Sequence, residues 1–218
     1  TLVGDANGMN IGITGGSDWT NNGDFMHNNG TVTVVGNTTI AGTNTTNFNN
    51  LTINNTFTLT GHATNMNMEG NWTNSNAAGG YTHNNGTVTF LMGNAQTITK
   101  GGTETFYRIV VNKFAGTTLT SATTTIAVTN LLTMTEGIFD LNTNTMNGAG
   151  GFTANGGDLQ LAKITTVPEL TGAYTINAGT VTLDGAGNQT LRGAAVNTYY
   201  NLVLANSGVK TINNLTTI

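Results

Sequence analysis

Two histidines, His27 and His83, occupy the same place in two nearly identical runs, His27-Asn28-Asn29-Gly30-Thr31-Val32-Thr33-Val34 and His83-Asn84-Asn85-Gly86-Thr87-Val88-Thr89-Phe90. Repeated imidazoles raise the question of a metal ion, whose bonds to ligand nitrogens are near 2 Å. The two are 56 positions apart and a third, worn copy of the run has Ile176 in that place, so the expectation is a half-buried turn position and no metal. His62 falls where an aligned stretch has Asp5, and solvent is expected around it. Carboxylates number ten, from Asp5 to Asp184. Enzymes that cleave polysaccharides place two of them about 5–10 Å apart. Asp158, Lys163 and Glu169 are the nearest approach to such a cluster, and a solvated extra coil explains them without catalysis. No regular Gly- and Asp-rich nonapeptide suggests calcium. Met9, Met66, Met68 and Met146 read as core filler. Trp19 and Trp72 could stack on sugars, but they recur in register, which favours the interior. Asn-x-Thr occurs at Asn29, Asn37, Asn44, Asn50, Asn54, Asn71, Asn85, Asn188 and Asn214, as a chain this rich in Asn and Thr makes expected. These residues predict no catalytic group, no cofactor and no metal site.

The elements that must carry these residues come next. In each returning run a polar turn ending in Gly precedes Thr-Val-Thr and an apolar residue, an alternation that puts valine on one face of a strand and threonine on the other. The third copy is Ile176-Asn177-Ala178-Gly179-Thr180-Val181-Thr182-Leu183. Only 7% of residues are charged, Cys is absent, Pro occurs once and Gly 30 times. Low charge with 37% apolar residues argues against disorder. Abundant Thr and Val favour strands over helices. Six Lys and Arg in a chain of net charge −4 offer no basic stripe, so nucleic acid is not an expected partner. No apolar run reaches the roughly 18 residues of a membrane span. A Thr/Asn surface with so few charges invites self-association or a covering of glycan.

Thr1 to Ile11 aligns without a gap on Thr58 to Met68, a period of 57 residues. Trp19, Trp72 and Phe152 share one slot; Phe25, Tyr81 and Tyr174 share another. Ile40, Ile98 and Leu191 are each followed eight residues later by an aromatic, Phe48, Phe106 and Tyr199. Three copies result, approximately 1–57, 58–140 and 141–218, with extra stretches at Asn112–Asp140 and Asn155–Gly172. Insertions of about 20 residues that leave later slots intact predict a solenoid coil of that size, and about eleven coils in one domain, 1–218. The fold class expected is all-β, a single parallel β-solenoid, right-handed by the usual rule for parallel crossovers; a β-sandwich is the alternative.

The run from Trp72-Thr-Asn through Gly86-Thr-Val-Thr-Phe, Gln96-Thr-Ile and Ile109-Val-Val-Asn112 to Leu131-Leu-Thr-Met134 and Gly137-Ile-Phe-Asp-Leu-Asn142 resembles the Asn/Thr/Gly-rich repeats of large secreted or surface-attached bacterial adhesin-like β-solenoid proteins. The resemblance implies the fold, an extracellular or cell-surface place, and possible contact with glycans. The chain opens and closes within its repeat, and its periods sum to its length. An end coil with no polar cap leaves unpaired strand edges and open core. This leads to the expectation of a structural subunit, stacked head to tail into an extracellular filament, with Thr1, Leu2, Met9, Ile11, Leu215 and Ile218 at the joint. A surface adhesin or glycan-binding module within a longer repeat protein is the competing expectation.

Overall fold

Thr31–Val34 is a strand whose residues alternate half-buried and buried, with Val32 and Val34 inside and both threonines outside. Alternation of this kind recurs along the chain and assembles a β-solenoid of about 9 turns, with every described strand pair parallel. The computed structural model describes residues 1–11, 17–192 and 199–212. Each turn has three strands, one on each of three faces, and one continuous apolar core fills the interior.

Face A contains Met9–Ile11, Thr31–Val34, Asn50–Ile53, Trp72–Asn74, Gln96–Lys100, Thr118–Ser121, Ile138–Asp140, the second halves of Gly151–Leu161 and Tyr174–Leu183, and Asn201–Leu204. Neighbouring strands pair in that order. A coil is as short as 19 residues where Val32 pairs with Leu51, and as long as 26 where Trp72 pairs with Ile98. Face B runs from Leu2–Val3 and Phe25–Met26 through Asn65–Met68 and Thr87–Met92 to the first half of Tyr174–Leu183. Face C runs from Ser17–Thr20 and Thr38–Ala41 to Gln189–Leu191 and Lys210–Ile212. Long strands such as Thr103–Lys113 turn a corner between faces at an irregularity, here between Phe106 and Arg108.

The coil count corrects the expectation of eleven. The 57-residue period is not three coils; it is about two and two-thirds, because a coil takes about 21 residues. Each slot therefore returns one face short of where three full coils would bring it. Trp19 pairs within face C while Trp72 pairs within face A. Thr31–Val34 lies on face A and its copy Thr87–Phe90 on face B. All three faces accept the same residue pattern, so the sequence repeat reports like faces and not like coils.

Corners explain the polar residues. In His27-Asn28-Asn29-Gly30 both asparagines have positive φ, 47° and 59°, and Gly30 N–H donates to His27 O; His83-Asn84-Asn85-Gly86 repeats this, with φ of 46° and 59°. Asparagine is the non-glycine residue that adopts this conformation most readily. The glycine is needed for a close approach: a Cβ on Gly86 would lie 1.8 Å from the carbonyl oxygen of His62, one coil away. Asparagines also tie coils together. Asn67 Nδ2 donates to Asn47 Oδ1 at 2.8 Å, and Asn177 Nδ2 to Asn155 Oδ1 at 2.9 Å. At other corners Asn37, Asn50, Asn71 and Asn188 each accept a backbone N–H from the next coil. Four of the Asn-x-Thr asparagines thus have a structural duty.

Candidate functional site

The histidines have one task in common. Nδ1 of His27, His62 and His83 each accepts the backbone N–H two residues on, from Asn29, Thr64 and Asn85. Asp5 does the same with its carboxylate for Asn7, and Asp140 for Asn142. The slot is a turn cap that imidazole and carboxylate fill equally. His62 corrects the expectation of solvent: it is buried, with Nε2 3.0 Å from Gly42 O and Nδ1 taking Thr64 N–H, an arrangement that requires the proton on Nε2. His27 Nε2 meets Glu69 Oε2 at 3.0 Å, and the His83 ring lies 5.4 Å from that of Tyr107. Among the described residues no group of three or more His, Cys, Asp or Glu is placed to hold a metal ion.

Asp158, Lys163 and Glu169 do not form one site. Lys163 Nζ is 2.8 Å from Glu169 Oε1 and also donates to Thr145 Oγ1. Asp158 accepts instead from Gln160 Nε2 and Thr182 Oγ1 on the outside of face A. Burial, and after it the charges of Asp140 and Asp158, raise the nearby Asp184 carboxyl above its ordinary value. The inserted stretch carries face A strand positions from Asp158 to Leu161 and the face C pieces Thr166–Val167 and Glu169–Leu170, as an added part of a coil would.

Both tryptophans belong to the interior. Trp72 is fully buried and Trp19 packs against the core. Each meets the aromatic residue of the next slot edge to face at 4.8 Å, Trp19 with Phe25 and Trp72 with Tyr81. A second buried pattern is not anticipated by the residue order. Gln96 donates to Met68 O and Gly70 O, and Lys113 Nζ then caps the same corner one coil on, at 2.6 Å from both Asn94 O and Gln96 Oε1. Gln189 and Lys210 repeat the device: Gln189 donates to Leu161 O and Lys163 O, and Lys210 bonds Gly187 O and Gln189 Oε1. Gly-Asn-Ala-Gln and Gly-Asn-Gln, each followed 17 to 21 residues later by Lys, is the signal that could reveal it.

Lys113 gives a pH prediction. Burial pushes its ammonium down from 10.5 to about 8. Between those values the unfolded chain keeps a proton that the folded chain releases, so stability should rise with pH across that interval and carry its full penalty below it. Urea midpoints at about pH 7.5 and pH 10 should rise for the wild type relative to Lys113→Met. Parallel responses in the two proteins would refute the assignment.

The remaining candidates are the end coils. Among the described residues Leu2–Val3, Met9–Ile11 and Ser17–Thr20 each pair along one edge only, with Phe25–Met26, Thr31–Val34 and Thr38–Ala41. Asn201–Leu204 and Lys210–Ile212 likewise have one partner each among the described residues. Leu2 pairs with Phe25 yet is 50% exposed, and Leu204 pairs with the buried Leu183 yet is 49% exposed. Thr1, Leu2, Trp19, Asn21 and Phe25 line an open cavity of about 430 Å³ at the first end. Of the expected joint, Thr1 and Leu2 are exposed there and Met9 packs partly against the core. Ile11 takes its place in the face A register beside Val34. Leu215 and Ile218 lie outside the described residues. No protein-family profile, curated protein or solved structure matches the chain.

Proposed function

We propose that the protein is a non-catalytic structural rod that works outside the cell and joins its own kind head to tail, through the open edges of its end coils, into a filament. The supporting observation is that, among the described residues, strands at both ends pair along one edge only on more than one face, with leucines at positions that are buried elsewhere and half exposed here. Each such edge offers unpaired backbone groups, and a matching parallel edge satisfies them at the ordinary strand spacing. A joint of about ten hydrogen bonds, each contributing about 0.5–1.5 kcal/mol, together with a few apolar side chains at about 1.5–3 kcal/mol apiece, is enough to offset an association cost of about 4–15 kcal/mol. Open heterologous contacts of this kind build fibres.

Stacking of this chain fits the phase of its faces. The last described strand, Lys210–Ile212, is on face C, and the first, Leu2–Val3, is on face B, the face that follows C along every coil. Face A carries ten strand positions from Met9–Ile11 to Asn201–Leu204, and a second copy stacked in register continues that ladder. Ten coil spacings of about 4.8 Å then give an axial rise of about 48 Å per copy.

Electron microscopy and sedimentation of the purified 218-residue chain test the reading. Filaments with that rise are expected, and Leu204→Asp should reduce them to short or single rods. Wild-type rods that remain single at high concentration would overturn it. Single rods that bind immobilised glycans would favour the adhesin reading, in which coils of a longer chain cover the same edges.

A further inference from the structure

Three polar side chains meet inside the core of the second copy. Trp72–Asn74 and Gln96–Lys100 are neighbouring strands of face A, and their register puts Asn74 directly beside Lys100. Glu104 is the second residue of Thr103–Lys113, the next strand along the chain. Strand alternation turns Asn74 inward with Trp72, Lys100 with Ile98 and Glu104 with Phe106. The three are 1%, 7% and 1% exposed. Glu104 Oε2 accepts from Asn74 Nδ2 at 2.8 Å and from Trp72 Nε1 at 3.0 Å, and Oε1 lies 3.7 Å from Lys100 Nζ. Gly79 O accepts from both Lys100 Nζ, at 2.5 Å, and Asn74 Nδ2, at 3.0 Å, so amine and carboxamide share one acceptor. The backbone N–H of Asn76 donates to Asn74 Oδ1 at 3.1 Å. Rings of Trp72, Tyr81 and Phe106, with centroids 4.8–5.6 Å apart, wall the group in.

We propose that this is a self-reacting cross-link site, in which Lys100 Nζ displaces the amide nitrogen of Asn74 and forms an amide bond between neighbouring coils, with Glu104 carrying the protons. A buried ammonium and carboxylate favour neutrality, reached by passing one proton from nitrogen to oxygen. Burial also pushes the Glu104 carboxyl above its ordinary value. The freed amine lone pair adds to Asn74 Cγ, and the carbonyl electron pair moves to Oδ1, where Asn76 N–H receives the developing charge. Protonated Glu104 gives its proton to Nδ2 along their existing contact, the Cγ–Nδ2 bond breaks, and ammonia leaves. The carboxylate takes the surplus proton from Nζ and ends protonated, as it was after its exchange with the lysine; passing that proton to the departing ammonia, which leaves as ammonium, restores the carboxylate. Amine plus carboxamide gives secondary amide plus ammonia, with no change of oxidation state. Register, burial and a shared acceptor supply the proximity that makes such a displacement feasible without a cofactor.

The first copy shows what the reaction needs. There the slots hold Asn21, Gly42 and Thr46, and Asn21 Nδ2 donates to Thr45 O and Thr46 Oγ1, each at 3.2 Å; amine and carboxylate are both gone. Lys113 touches a side-chain amide, that of Gln96, but with carbonyls as its other partners and no carboxylate bound to it. Neither place should react.

Mass spectrometry of the intact full chain decides the matter. The wild type should weigh less than its sequence by about 17 Da, the mass of one ammonia. No Lys or Arg precedes Lys100, so the first tryptic cut should fall after it in unreacted protein and be missing once Nζ is acylated. Chymotryptic digestion should yield two joined peptides, one with Asn74 and one with Lys100. Lys100→Arg and Glu104→Gln should each restore the full mass. A wild type at full sequence mass, cut after Lys100, would overturn the proposal. So would a mass deficit that persists in Lys100→Arg, since closure of an asparagine ring on its own backbone also expels ammonia. The wild-type measurement needs no variant, so it decides between the outcomes even where a variant fails to fold.

Discussion

Trp72→Ala should cost the rod about 3–5 kcal/mol, as expected for deleting a fully buried large aromatic side chain. Trp72 has no exposed surface, pairs in register with Leu51 and Ile98, and packs on Tyr81 and Phe106. Its indole N–H is also one of two side-chain hydrogen-bond donors to the buried Glu104 carboxylate, so alanine takes a partner from a core carboxyl, at a further cost of about 1–3 kcal/mol. Trp19→Ala is the internal control. It removes the same side chain from the equivalent slot, but there the ring is only partly buried and, among the described residues, its N–H has no partner to lose. Urea denaturation should show the first loss to be at least about twice the second. Equal losses would mean that the buried carboxyl adds nothing and that both slots are packed alike.

Gly86→Ala should be nearly as severe, for a reason of backbone and not of side chain. The added methyl would sit 1.8 Å from His62 O and 3.0 Å from the carbon behind it. That carbonyl has little room to retreat: the His62 ring is anchored to Gly42 O on the coil below, and Thr64 O accepts Thr87 N–H on the coil above. Separating the coils at one corner breaks their ladder, and a loss of about 3 kcal/mol is expected, the upper end of ordinary overpacking. Gly23→Ala, with no atom within 4 Å of its added methyl, should stay within about 0.5 kcal/mol of wild type. Gly30→Ala meets Asp5 O at 2.0 Å, but Asp5 belongs to a coil that, among the described residues of a single copy, pairs on one side only, so in unassembled protein it should yield more cheaply. A neutral Gly86→Ala would show that the coils are free to part.

Much of this architecture can be read from residue order alone. Thr-Val-Thr after a turn ending in Gly determines which residues point inward, and burial of Val32, Val88 and Val181 agrees. The recurrence of Trp19 and Trp72 places both rings in the core. Coil number is not legible in the same way, because identical stretches sit on different faces, a degeneracy that similarity between residues cannot reveal. Solvent around His62 follows from its chemistry taken without its position; Asp5 in the same slot, with Asn7 and Thr64 two residues later, points to a turn cap. Lys100 and Glu104 escape notice for a similar reason. Charged side chains are presumed solvated, yet each stands two residues from an inward apolar partner, Ile98 or Phe106, so strand parity alone turns both inside.

The 57-residue repeat that falls one face short of three coils has a consequence for how such a molecule can lengthen. If segments could be copied only in complete circuits, a duplication would have to begin and end at the same bearing around the axis. Here a block of about two and two-thirds coils resumes one side of the prism, about seven residues as a third of a coil, away from the bearing at which it began. A lineage of such rods has three times as many acceptable breakpoints for recombination as one whose sides differ, and its members should vary in length by thirds of a circuit.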